Sequence, residues 1–286
     1  MAELKYVKEL LSTDIATEGS LLVVKKIYDK LVEEVEKDLI PRSEAALVIG
    51  PSSIPGSSID INVEDVNTLK VREIAEGADI TTDNQSYSTI NIRPKKYGVG
   101  IRITREMLED AKWNLLERNI KIAAKRFAEN ETKLIIQQLD TAASVNSGGA
   151  TLTIGDITQG MLDLEDHDYT PTTMLVGKEV LHDLRNIDTF VEADKLGTRE
   201  MLSRGFVGRI FGMNVLTFST NAAPSTTYSK YMYIFDKNEA YYIVEKRPIS
   251  IERFDLPNND MSAAVITQRI AVKAIRTNAI SKTTTS

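Results

Sequence analysis

The sequence contains no cysteine and only two histidines, His167 and His182. Disulfides, thiolate nucleophiles and cysteine-based zinc sites are thereby excluded. Two histidines leave a thin supply of general bases near neutral pH. No apolar run approaches the ~20 residues that a membrane helix needs; the densest, Leu21–Val24, stops at Lys25 and Lys26. The N-terminus lacks the basic-then-apolar layout of a signal peptide, so no membrane partner is expected. Neither a G-x-x-x-x-G-K-[ST] loop nor a G-x-G-x-x-G turn after a strand occurs. The net charge of −6 argues against electrostatic nucleic-acid binding by the molecule as a whole, and leaves open a locally basic face.

What is present is a chain of ordinary globular composition, 42% hydrophobic and 27% charged, long for one compact core and of a length that fits one large domain or two to three lobes. A short helical stretch is expected around Glu3–Leu11. Leu21, Val24, Tyr28, Leu31, Val32, Val35 and Leu39 follow helical spacing opposite a charged face, and Pro41 ends that helix. A loop-rich passage over 50–58 precedes Ile59, Ile61 and Val63, which alternate as a strand. Residues 64–96 are polar and turn-rich. Leu69 and Val71 suggest one strand and Ile90 and Ile92 its return. A two-stranded ribbon with so few apolar residues is marginal in isolation and needs a partner surface.

Tyr97, Val99, Ile101 and Ile103 form the next strand. Gly98 and Gly100 within it let the strand bend or let another chain pass close. From Arg105 to Leu139 there is neither proline nor glycine. The stripe Leu108, Ala111, Leu115, Ile122, Phe127, Leu134 and Leu139 predicts one helix of about 35 residues, roughly 50 Å long, which serves as a spine. Asn146-Ser147-Gly148-Gly149 reads as a hinge or boundary. Beyond it the pattern is mixed: helices over 156–165 and 178–187, strands over 173–176, 213–218, 231–235, 240–244, 249–254 and 263–275, a loop over 188–205, and a turn at 257–260. The tail 281–286 reads as disordered.

Few residues offer chemistry. Asp163, Asp166 and His167 stand at i, i+3 and i+4, so one helical face presents all three. The set lacks a second histidine and fits a solvated acidic helix end; no metal, cofactor or catalytic residue is expected. His182 has only Asp183 beside it. Arg93, Lys95 and Lys96 form a basic patch where the ribbon rejoins the body. It is either solvated or paired between subunits with the acidic stretch holding Glu73, Glu76 and Asp79. Trp113, the single tryptophan, serves a subunit contact or the core. Lys112, Arg118, Lys121, Lys125 and Arg126 give the spine a weak basic bias that suits a face toward packaged nucleic acid.

The order of these pieces resembles the Hong Kong 97-type major capsid protein of tailed bacterial and archaeal viruses. Local wording is similar too: Pro171-Thr172-Thr173-Met174-Leu175-Val176-Gly177 followed by Leu181–Leu184, then Phe190–Gly197, then Val207–Val215 with its Gly-Met turn. The resemblance covers roughly Leu21–Thr277. It implies an α+β fold with an N-arm and amphipathic helix (1–57), an extended β-hairpin E-loop (58–96), a P-domain strand and spine helix (97–150), an α/β A-domain (151–247), and a closing P-domain hairpin with tail (248–286). It further implies self-assembly, without enzymatic activity, into pentamers and hexamers of an icosahedral shell. Double-stranded DNA would lie inside, with portal, scaffold or decoration proteins as partners. The location implied is the virion capsid, built in the host cytoplasm. Encapsulin nanocompartments, which enclose cargo enzymes, share the fold and are the alternative. The helical scaffolding segment of some relatives is missing ahead of the arm, so scaffolding is expected to be separate or dispensable. Some relatives join an E-loop lysine to an asparagine of a neighbouring P-domain; Lys70 and Asn258 or Asn259 are residues of those types.

Overall fold

The computed structural model describes residues 41–54, 56–64, 69–74, 76–77, 79–80, 82–104, 106–107, 115–187, 206–256 and 261–285. The helices expected at 3–11 and 21–39, the loop at 188–205 and the turn at 257–260 lie outside them. In chain order the strands and helices are β1 (Leu47–Ile49), β2 (Ile59–Glu64), β3 (Tyr87–Ile92), β4 (Lys95–Thr104), α1 (Leu115–Leu139), β5 (Ser144–Ser147), α2 (Ile154–Glu165), β6 (Thr173–Val176), α3 (Lys178–Arg185), β7 (Phe206–Ile210), β8 (Met213–Thr217), β9 (Tyr231–Phe235), β10 (Tyr241–Leu256), β11 (Met261–Ala274) and β12 (Ile280–Thr284). They build a four-stranded sheet, β1-β10-β11-β4, a six-stranded sheet, β5-β12-β9-β6-β8-β7, and the two-stranded ribbon β2-β3.

Helix α1 is the described part of the expected spine. Its middle buries the small Ala123, Ala124 and Ala128 with Phe127, which lets the helix lie close to Ile249 and Ile266 of the four-stranded sheet. Its last turns carry larger side chains. Ile135, Ile136 and Leu139 enter a core shared by both sheets, with Leu175, Tyr233 and Phe235 from one and Tyr241, Ile243 and Ile270 from the other. The change from alanine to isoleucine along one helix face matches a single sheet giving way to the junction of two.

The six-stranded sheet carries α2 and α3, whose apolar faces meet Met174, Val176, Val215 and Ile234. A capping box between Thr153 and Asp156 starts α2, satisfying two otherwise orphaned donors. Gly177 precedes α3 because a Cβ there would lie 2.3 Å from the carbonyl oxygen of Ser229.

Several expectations are corrected. The tail is ordered: β12 pairs parallel with β5 and antiparallel with β9. Its alternating serine and threonine side chains hide that role from a reading of hydrophobicity alone. Asn146 and Ser147 belong to β5 rather than to a hinge. The strands expected at 240–244 and 249–254 are one strand, β10, with register shifts between Glu245 and Ser250. β5 belongs to the six-stranded sheet, and β10 runs unbroken in the four-stranded one from Tyr241 to Leu256. In the ribbon, Ile59–Glu64 and not Leu69 with Val71 pairs with Tyr87–Ile92.

Ile280 is fully buried at the start of β12. Its replacement by alanine is expected to cost ~2–5 kcal/mol in denaturant unfolding. A disordered tail would show no loss.

Candidate assembly interface

The ribbon begins on an apolar base. Ile59, Ile61 and Ile90 pack against Ile54, Ile92, Val244 and Ile275 on the face of the four-stranded sheet opposite α1. Six residue pairs from Ile59 with Ile92 to Glu64 with Tyr87 then lead away. Thr89 donates to Asn62 at 3.0 Å, and Asn91 to Asp60. Beyond the pairing, Asp83 accepts from the backbone of Lys70 and from Arg72, each at 3.2 Å. These links stiffen the tip without burying it. Val71 is 105% exposed and Ile80 76%, so the described residues leave both uncovered.

Glu73, Glu76 and Asp79 are exposed on this tip. Arg93, Lys95 and Lys96 are exposed where the ribbon joins β4, and no ion pair joins them to the three acids among the described residues. Arg118, Lys121, Lys125 and Arg126 are exposed on α1; Arg126 pairs with Glu129 at 2.7 Å. Trp113, Lys112, Asn258 and Asn259 lie outside the described residues. Lys70 is exposed.

The possible metal face has another role. The Asp163 carboxylate accepts from Asn146 at 2.5 Å and from Ser281 at 2.9 Å, with Gln159 at 3.2 Å. It thus fastens α2 to β5 and β12. His167 reaches the backbone oxygen of Asp163, and Asp166 is exposed. His182 is exposed beside Asp183. Among the described residues no group of three potential ligands could hold a metal ion.

Three polar clusters, none recognised from the sequence, lock the body that carries the ribbon. Arg42 bridges Glu131 of α1 at 3.3 Å and Glu245 of β10 at 2.5 Å, while Gln268 of β11 donates to Glu245 at 3.2 Å. Glu44, buried, accepts from Thr173 of β6 at 2.8 Å. The segment just before β1 thereby ties both sheets to the helix. At the end of α1, Asp140 accepts from Tyr228 at 3.0 Å, Tyr233 at 3.3 Å and Lys282 at 2.5 Å, and the Lys282 ammonium lies 4.1 Å from the centre of the Tyr231 ring. Burial and the Asp140 charge push the Tyr228 hydroxyl up to about 12 and Tyr233 higher. Both therefore act as neutral donors. Mean hydropathy and strand patterns carry no signal for such partners, because each lies tens of residues or more away in the chain.

The family model described as phage capsid protein matches residues 86–282. No curated protein matches. Among solved structures, the capsid of a native GTA particle computed with C5 symmetry is 14% identical, with a TM-score of 0.65 over 86% of this chain and 89% of that one. A structure from Mycobacterium phage Adephagia is 15% identical, with a TM-score of 0.63 over 85% of this chain and 89% of that one. A virus-like particle from Pyrococcus furiosus is 12% identical, with a TM-score of 0.61 over 91% and 99%. At these identities the likeness concerns the fold.

Glu131 sets a pH dependence. Burial raises its carboxyl from 4.5 to about 7, against the opposing pull of Arg42. The folded chain thus holds a proton that the unfolded chain has released. Stability is highest below pH 4.5 for this group and declines as pH rises to about 7, by roughly 3 kcal/mol. Glu131→Gln is expected to flatten that decline in unfolding measurements between pH 5 and 8; an unaltered slope would assign it to another group.

Proposed function

The chain belongs to the phage capsid protein family, as the major capsid protein of an icosahedral shell, and we propose that the shell encloses a double-stranded DNA genome and is held by ribbons reaching neighbouring copies. The carrying observation is the ribbon itself: an ordered hairpin whose tip exposes Leu69, Val71 and Ile80. A tip of this kind gains stability only when another surface covers it. Pentamers and hexamers supply that surface, since one contact repeated head to tail closes rings.

The exposed cations on α1 suit non-specific contact with packaged DNA, whose phosphates need no sequence-specific partner. Their acidic neighbours keep that contact weak. Portal, scaffold and decoration proteins complete the set of partners, with assembly in the host cytoplasm. The body supports this role by being stiff: two sheets, one helix and the segment before β1 are joined by buried charge-assisted hydrogen bonds, so a load on the ribbon reaches both sheets. A nanocompartment shell is the second reading. Nuclease-protected DNA in purified particles separates the two.

Electron microscopy of the purified chain is expected to show closed particles. Deleting residues 76–86 is expected to leave the circular dichroism and melting of the unassembled chain within ~2 °C of the parent, because none of the described residues among them is buried, while abolishing closed particles. Intact shells from the deletion would remove the ribbon from the assembly mechanism.

A further inference from the structure

We propose that the face of the four-stranded sheet turned away from α1 carries a site for a phosphate dianion, built on the cross-strand row Lys96, Arg269 and Arg247. The ligand class is inorganic phosphate or the terminal phosphate of a small phosphomonoester. The site goes beyond the shell reading, and its test requires no particles.

Register places Lys96 opposite Arg269 and Arg269 opposite Arg247. Paired residues of an antiparallel sheet project from one face, and like charges directly opposite one another destabilise it. Neighbouring strands lie ~4.8 Å apart, so three cations crowd a width of about 10 Å. The backbone makes this arrangement. With regular alternation Arg247 would share the side of Glu245, whose carboxylate meets Arg42 and Gln268 beside α1. Instead, β10 advances two residues from Glu245 to Arg247 while β11 steps one, from Ile270 to Arg269. That bulge turns Arg247 over, away from Glu245, and a second irregularity before Ser250 restores the pattern. Bulges re-aim side chains in this way and are frequent beside active sites.

The protein leaves the charge of the row unanswered. Arg247 donates to the Thr267 hydroxyl at 2.9 Å, and its Nε is enclosed with no protein acceptor. Most donors of that guanidinium are therefore unused by the fold. Arg269 reaches the Pro94 carbonyl, at 3.5 Å. Among the described residues no carboxylate pairs with any of the three cations. The next rung is Gly98, Thr267 and Ser250. The Ser250 and Thr267 hydroxyls lie 3.1 Å apart. Gly98 is pressed so closely on Thr267 that a Cβ would lie 3.2 Å from its methyl carbon. These short residues leave the row open on that side and place hydroxyls beside it.

Charge and shape select the ligand. Guanidinium groups fork onto phosphate oxygens, and a lysine adds a compact point charge. A dianion answers more of three clustered charges than a monoanion does. Its several oxygens let one ligand touch β4, β11 and β10 together. Duplex DNA presents single charges spread along a backbone and matches so compact a row less well. A phosphate held here bridges the three strands where the β10 ladder is irregular. Phosphate in solution thereby stabilises the sheet by mass action.

The test dialyses the unassembled full chain against labelled inorganic phosphate at constant ionic strength, at about pH 8, where a phosphate group carries two charges. About one phosphate per chain is expected to bind, with a dissociation constant on the order of 1 mM. At about ten times that concentration the melting temperature is expected to stand ~3 °C above its value in chloride. Arg269→Gln is expected to weaken binding about tenfold. It is not expected to lower the melting temperature in chloride, because it removes a like-charge contact. Arg247→Gln is expected to weaken binding to a similar extent. Should that variant fail to fold, Lys96→Gln with Arg269→Gln removes two of the charges and is expected to abolish the shift in melting. Absence of saturable binding to the parent overturns the site. Equal binding to parent and variants, an adventitious ion only, overturns it too. Short double-stranded DNA that displaces the label at a lower phosphate concentration than inorganic phosphate does assigns the row to the genome and overturns the small-anion site.

Discussion

The structure depends on one constraint: a single helix must bury its face against two sheets at once. Alanines of α1 lie on the four-stranded sheet, and Ile135, Ile136 and Leu139 fill the junction with the six-stranded one. Because the sheets share that junction, their relative placement is fixed by packing at interior density rather than by a linker. The ribbon inherits this stiffness through its apolar base on the opposite side of the four-stranded sheet.

Polar groups then specify what packing alone leaves adjustable. Arg42 and Asp140 each reach partners on two elements, Glu44 reaches Thr173 of β6, and each partner is a buried or half-buried donor or acceptor. Buried charges are costly without such partners. The clusters consequently hold one arrangement of helix and sheets rather than several similar ones. Asp163 shows the same logic on a smaller scale, since the carboxylate that looks like a metal ligand in the sequence instead holds α2 to the closing strands.

Among the described residues, most buried polar groups of the body are satisfied internally, with Thr217 Oγ1, Arg247 Nε and Thr283 Oγ1 as exceptions, whereas the ribbon tip exposes Val71 and Ile80. Exposed apolar side chains at the tip are unfavourable in a lone chain.

The sequence by itself determined the described helices, most of the described strands and the return strand of the ribbon. Periods of 3.6 and 2 residues, and missing residue types, are local properties that need no knowledge of the partner. Only the tertiary structure decided that 280–284 closes a sheet, that Asp163 is a fastener, that Glu131 is buried against Arg42, and that Arg247 faces Arg269. Each of those depends on which distant segment lies alongside. In the case of Arg247 it depends on a one-residue bulge that reverses the face, and no hydrophobic pattern records that inversion.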